Sequence, residues 1–452
     1  MLAVLTTIGI VLFVLGLLFS IAWHELGHLA FAKLFNIRCT QYMVGVGKTL
    51  WSRNWGETEY GIKAVPIAGY VRMVGMIPPA KQSNDTSPKR MSRWRAMIED
   101  AREAHFVEVE PGDEDRMFYQ RKPWKRILVM VGGPAMNLIL ALVLFASVLM
   151  GIGIQQESTT VGVVNECVVA ADEPQEECPE DAEPTPAAEA GMQPGDEIVA
   201  INGTAVPEWQ RLQDVTRDAS GPATIEILRD GQMRDLDVHI TRNEVAVQDE
   251  DGVPVERTDA DGEPLTDEQG RTLVETEEGG FIGIQPAYER TPLSAGETAE
   301  HMADTAYQVG EHVILLPTKV PDLWNATFAG AERQPDSPVG VVGASRIGGE
   351  ILTLDMPIVD RGAIMLMMLA TVNLFLFALN MLPLLPLDGG HIFGAMWESI
   401  RRAVARLFGR GDPGPFDTAK LMPMAYVVIL AFVGLSVLLL IADIVNPVRL
   451  VQ

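Results

Sequence analysis

His24-Glu25-Leu26-Gly27-His28 reads H-E-x-x-H, a spacing with a definite chemistry. Residues four apart share one helix face, so both imidazoles can hold one cation. Glu25 stands beside them, placed to take a proton from water rather than to complete the coordination shell. Zinc suits neutral imidazoles, and catalytic zinc keeps three protein ligands and one open position. Such an ion lowers the pKa of a water molecule to about 7. Glu25 could then act as general base and pass the proton to the leaving amine. The pattern also occurs by chance in solvated helices. That explanation fails here, because the uncharged stretch Leu2–Phe19 runs straight into it, and ionisable groups at membrane depth are costly enough to mark function.

A third ligand should come from another apolar stretch. Residues 362–387 contain no ionisable group, and the next are Asp388 and His391 in "LDGGH". The approach, "NMLPLLPLDGG", places Pro383 and Pro386 inside an apolar run. Prolines there break the helix and let a carboxylate turn inward. Asp388 is the expected ligand, with His391 as the alternative. In "GGPAMN", Gly132 and Gly133 permit close helix contact and Asn137 can hydrogen-bond inside a bundle, a structural role.

The elements that must position these residues are apolar runs. Met1–Trp23, Ile127–Gln156, Gly362–Leu387 and Leu421–Ala442 are uncharged, and each is near the roughly 20 residues that span a bilayer. The first is too long for a signal peptide and lacks a charged leader and a cleavage site. The net charge of −25 hides an asymmetry: residues 32–126 carry 17 Lys/Arg against 11 Asp/Glu, and residues 152–361 carry 12 against 43. Basic flanks prefer the cytoplasm. Residues 32–126 and 388–420 are therefore expected inside the cell, and the acidic loop and both termini outside it.

The expected organisation is a first span with the motif at 1–35, a cytoplasmic loop with a membrane-reentrant β-element at 36–122, a second span at 123–156, and an extracytoplasmic domain at 157–290. An amphipathic helix and return segment follow at 291–361, a third span with the broken "LDGG" end at 362–391, a cytoplasmic loop at 392–420 and a fourth span at 421–445. Within the loops, Tyr42–Trp51 and Thr58–Met73 alternate like strands, and Ala80–Arg102 looks polar and partly helical. In the outer domain a β run at Thr159–Val164, a helix at Trp209–Asp218 and strands at Ala223–Arg229 and Met233–Ile240 are expected, with 244–280 a solvated loop. Cys39 lies alone on the reducing side, whereas Cys167 and Cys178 could form a disulfide outside.

With these motifs in place, the chain resembles the site-2 proteases, zinc-dependent intramembrane proteases, and among them the bacterial regulator-of-sigma-factor branch in its actinobacterial form. The resemblance rests on "WHELGHLAFAK", "EYGIKAVPIAGYVRMVGM", "RKPWKRILVMVGGPAMNLILAL", "AGMQPGDEIVAINGTAV", "SPVGVVGASRIGGE" and "NMLPLLPLDGGH". It implies an α-helical membrane protein with four transmembrane helices, a membrane-associated β-hairpin on the cytoplasmic side and an inserted extracytoplasmic PDZ-like α+β domain. Carried over by motif, His24, His28 and Asp388 would bind Zn2+ and Glu25 would be the catalytic base. Asn380 would hold substrate or stabilise the transition state, and Asn137 would lie near the site. Gly69, Tyr70, Val71, Arg72 and Met73 would offer a strand edge to an unwound substrate, the mode by which an extended backbone is bound.

The implied activity is hydrolysis of peptide bonds within the transmembrane segments of single-span proteins in the cell membrane, such as anti-sigma factors or signal-peptide remnants. The partners are then those substrates and the lipid bilayer, with no nucleic acid. Two other classes compete. A catalytically silent scaffold is disfavoured by the intact Glu25. A metal transporter would need a polar path through the spans, for which only Asn137, Asn373 and Asn380 are available.

Overall fold

The computed structural model describes residues 2–78, 112–168, 178, 183–247, 255, 257–258, 265, 272–331, 333 and 337–448. Most of the stretch expected to be polar and partly helical, Ala80–Arg102, lies outside them, as does most of the acidic insertion after Cys167. The chain divides into two compact units, residues 1–152 with 293–452, and residues 153–292.

The first unit is helical. Four of its helices are long and apolar enough to cross a membrane: Leu2–Leu34 (α1), Pro123–Ile152 (α2 to Ala146, then a π-helical turn), Ile358–Asn380 (α7) and Thr418–Val445 (α9 from Met422). Each has apolar residues on all sides, as a lipid-facing helix requires. They pack through small and polar residues, since apolar contact alone gives no preference over lipid. A methyl on Gly132 would stand 2.8 Å from the Gly27 carbonyl, so the glycine pair lets α1 and α2 touch backbone to backbone. Asn373 is fully buried and donates to Ser20 Oγ at 2.8 Å, tying α7 to α1 one turn before His24. Helices α4 (Ala295–Leu315), α5 (Val320–Phe328) and α6 (Val341–Ile351) precede α7. Phe13 of α1 is buried in a cluster that includes Ile351 of α6 and Met365 of α7. Buried Asp443 of α9 pairs with Arg333 and accepts from the Gly343 amide at 2.8 Å, which ties α9 to the first turn of α6.

Two strands follow α1: β1 (Cys39–Trp55) and β2 (Thr58–Met73). The first half of β1 lies between two stretches of β2. Tyr42 is in register with Val71 on one side and Tyr60 on the other, while Trp55 pairs back with Thr58. Gly69–Met73 therefore forms an outer edge. Val71, Met73 and Cys39 are buried in one cluster with Leu29 and Ala32 of α1 and Val129 and Met130 of α2, which fixes this edge against the helices. Burial drives the Cys39 thiol pKa up to about 12.

Past α7 lies the segment 392–420, expected as a cytoplasmic loop between the third and fourth spans. The structure has a 20-residue helix, α8 (Asp388–Leu407). Its apolar residues recur at helical spacing, and it is secured by burial of Ile392 and Glu398. Glu398 pairs with buried Arg126 of α2 and accepts from the Phe416 amide at 2.8 Å.

The second unit is a seven-stranded sheet in the order β8-β7-β6-β4-β3-β9, with β5 on β4. The strands are β3 (Ile154–Val164), β4 (Glu197–Ile201), β5 (Thr204–Ala205), β6 (Gly221–Arg229), β7 (Gln232–Ala246), β8 (Thr276–Phe281) and β9 (Ile284–Thr291). Helix α3 (Trp209–Asp218) buries Trp209 and Leu212 over Ile198, Ile225, Ile227 and Ile240. The expected solvated loop at 244–280 is a strand at both ends. Glu244–Ala246 pairs with Thr276–Glu278, because backbone pairing satisfies the chain while the glutamates stay in water. Cys167 and Cys178 are bridged, with Cα atoms 5.9 Å apart.

Candidate active site

The last turns of α1 carry His24, Glu25 and His28, and the first residue of α8 is Asp388. The chain reaches Asp388 because α7 stops at Asn380, ahead of Pro383 and Pro386, and restarts after Leu387. The two glycines after Asp388 allow the return. A methyl on Gly389 would stand 2.6 Å from the Met381 carbonyl oxygen, and one on Gly390 2.6 Å from the Leu385 nitrogen. Any side chain there would push Asp388 away.

Three ligand atoms converge. The Nε2 atoms of His24 and His28 are 3.2 Å apart, and each is 3.3 Å from Oδ2 of Asp388. A tetrahedral zinc with bonds of about 2.0–2.1 Å holds its ligands about 3.3–3.4 Å apart. Asp388 Oδ2 is buried and accepts no well-aligned hydrogen bond, so this oxygen lacks the partner a buried anion needs. Two imidazole nitrogens and one carboxylate oxygen form a set that zinc fits.

The neighbours set the tautomers. Nδ1–H of His28 donates to the Val129 carbonyl at 2.8 Å, leaving Nε2 with its lone pair facing the cluster. The Asn137 amide lies 3.2 Å from His24 Nδ1. Its nitrogen is placed there, and its Oδ1 is buried without a partner. With the two amide ends exchanged, Oδ1 would accept from Nδ1–H, and His24 Nε2 would then also face the cluster unprotonated. Asn137 thus touches the His24 ring rather than serving only the helix contact.

Gly133 has a similar purpose. A methyl on it would stand 2.7 Å from His28 Cε1 and 2.8 Å from His24 Nε2. The sequence suggested helix contact for both glycines of the pair. Gly132 makes that contact, and Gly133 leaves room for the rings.

Glu25 is buried, and its Cγ would be 2.7 Å from a methyl on Gly69. The Val71 backbone is within hydrogen-bonding reach of its carboxylate. Of the five edge residues, Gly69 and Val71 face Glu25. Tyr70 instead donates to Gln41 Oε1 at 3.3 Å, Arg72 is exposed on the same alternate face, and Met73 is in the core. Asn380 closes α7 and donates to its own Leu376 carbonyl at 3.0 Å rather than to the cluster. His391 lies outside the three-atom cluster. It lines a cavity of about 280 Å³ with Leu385, Pro386, Met422 and Tyr426. Sequence reasoning overlooked Ser20 and the Val129 carbonyl; a hydroxyl at helical spacing before His24 is the only signal for the former.

The sequence profile of Peptidase family M50 matches residues 12–409. Zinc metalloprotease Rip1 of Mycolicibacterium smegmatis is 35% identical over 456 residues, covering 98% of this chain and 99% of that protein. Zinc metalloprotease Rip1 of Mycobacterium tuberculosis is 34% identical over 448 residues, with the same coverage. Metalloprotease MmpA of Caulobacter vibrioides is 25% identical over 411 residues, covering 87% of each chain.

Proposed function

Because the chain belongs to peptidase family M50, the site-2 proteases, we propose that it hydrolyses peptide bonds within the transmembrane segments of single-span proteins, with His24, His28 and Asp388 as its zinc ligands and Glu25 as its base. It is a zinc metalloprotease and a multi-pass membrane protein. The observation that carries the residue assignment is the convergence of the three ligand atoms beside Glu25.

When bound, zinc supplies Lewis acidity to the scissile carbonyl and to water. Glu25 takes the proton of the attacking water and delivers it to the leaving nitrogen. The edge at Gly69–Val71 pairs with the unwound substrate backbone and presents it to Glu25, which is why Gly69, with no side chain, stands between strand and carboxylate. Val129 and Asn137 hold the imidazole rings and their tautomers. Glu25 and His28 are buried among these elements, so the proton moves between positioned groups.

Anti-sigma factors, already trimmed on their outer side, are the substrate class we favour, with signal-peptide remnants second. Residues 153–292 form a PDZ-like domain in this reading. Their acidic charge and the Cys167–Cys178 bridge support an extracytoplasmic placement, and the basic residues before α2 support a cytoplasmic β1–β2 element. The test is Glu25→Gln with a reporter span in reconstituted membranes. Cleavage should fall at least about a hundredfold with zinc content retained, and wild-type cleavage would end this assignment.

A further inference from the structure

Helix α8 has a face that nothing in the described protein covers. Phe393, Met396, Trp397, Ile400, Val404 and Leu407 are 46–81% exposed. Their spacing puts them on one stripe about 100° wide, running nearly the length of the helix. The opposite face carries Ile392, Ala395 and Glu398, all buried, and is clamped to α2 by the Arg126–Glu398 pair. The helix is therefore held firmly on one side and bare on the other.

What covers the stripe follows from how α8 is tethered. The span α7 ends at Asn380 and the next begins at Thr418. A segment joining two successive spans stays at one bilayer face, and α8 fills half of it. The composition matches a helix lying in the interface, with Trp, Phe and Leu on one side and arginine on the other. Arg402 is committed to Glu398 and Asp412, but Arg406 and Arg410 are exposed at the C-terminal end. Anionic headgroups attract such arginines by about fivefold each.

We propose that α8 lies in the plane of the bilayer, at the boundary between headgroups and acyl chains of an anionic leaflet. Trp397 and Ile400 point into the chains, and Arg406 and Arg410 reach the phosphates. Because Asp388 is its first residue, this contact sets the depth of the third ligand. The inference rests on the spans and not on the proteolytic reading.

The full chain in lipid nanodiscs tests it. Cys39 is buried and Cys167 and Cys178 are bridged, so an introduced thiol is the one an environment-sensitive maleimide dye labels. Met396→Cys, Ile400→Cys and Val404→Cys should be quenched by lipid brominated near the headgroup and shielded from aqueous iodide. Ser399→Cys and Arg406→Cys should show the reverse. Replacing phosphatidylcholine in part by phosphatidylglycerol should strengthen lipid quenching at Ile400→Cys, and Arg406→Glu with Arg410→Glu should abolish that gain. Equal iodide quenching at the two sets of positions would overturn the proposal. So would iodide shielding without lipid quenching, which means a protein covers the stripe, and so would quenching insensitive to headgroup charge.

Discussion

Gly133→Ala adds one methyl group at the point where the two proposed ligand rings, those of His24 and His28, meet. Ordinary contact begins at 3.4 Å, whereas this methyl would be 2.7 Å from His28 Cε1 and 2.8 Å from His24 Nε2, and closer still to Nε2 of His28. Each ring must retreat by more than half an ångström. Neither can do so freely, since His28 is tied to Val129 and His24 lies against Asn137. Misplacement by about 1 Å costs on the order of a hundredfold in rate, and loss of a ligand costs zinc outright. The change also replaces a mid-helix glycine, which by itself favours the helix by about 1 kcal/mol. The expected outcome is thus a folded chain with thermal stability close to wild type in chelator, little bound zinc and no stabilisation on zinc addition. Zinc per chain by elemental analysis and melting with and without the metal read these separately. Gly434→Ala, where a methyl meets nothing within 4 Å, serves as the control. A Gly133→Ala protein holding one zinc with wild-type affinity would refute the reasoning, because it would mean the rings do not bind the metal where the structure places them.

Asn137→Leu removes the amide that faces His24 Nδ1 while filling the space, and zinc affinity by chelator competition should drop about 10–100-fold; unchanged affinity would mean that the His24 ring is held without help. Glu398→Gln leaves Arg126 buried without its counter-charge, which should destabilise the helical unit by about 3–5 kcal/mol, seen as an earlier melting transition. Burial alone would raise the Asp196 carboxyl pKa, but the bidentate Arg229 guanidinium and the Gln193 amide hold it below its ordinary value. Its contribution is therefore complete above about pH 4 and is lost as pH falls through the lower folded value. Amide protection factors in β4, corrected for intrinsic exchange at each pH, should fall in that acidic range, and Asp196→Asn should remove the dependence; an identical acid response in the variant would rule out the ion pair as its source.

Much of the architecture is legible in one dimension because its physics is local. An apolar run long enough to cross a bilayer can do little else, so the four spans are read directly from Met1–Trp23, Ile127–Gln156, Gly362–Leu387 and Leu421–Ala442. Helix α3 and the hairpin of β6 and β7 are likewise marked by helical spacing and by "DGQ" at a tight turn. Local pattern fails where partners are distant. Helix α8 lies within a segment expected only as a loop between two spans, and its buried side includes a charge, Glu398, whose partner Arg126 is 272 residues away in the chain. The strand ends around residues 244–280 are polar, and only the pairing of Ala246 with Thr276 makes them strands.

The chemistry divides in the same way. Two histidines four apart beside a glutamate, at the end of an uncharged run, point to a metal-and-base arrangement, and the prolines before Asp388 announce a break that can turn a carboxylate inward. The sequence favours Asp388 over His391 without showing where either lies, and it cannot assign separate tasks to Gly132 and Gly133 or place Asn137 and the Val129 carbonyl against the rings. Those depend on where α2 crosses α1 and how far the turn before α8 swings back. The backbone contact of Gly27 with Gly132 and the tight turn over Gly389 and Gly390 decide them, through steric limits of a few tenths of an ångström that no one-dimensional pattern records.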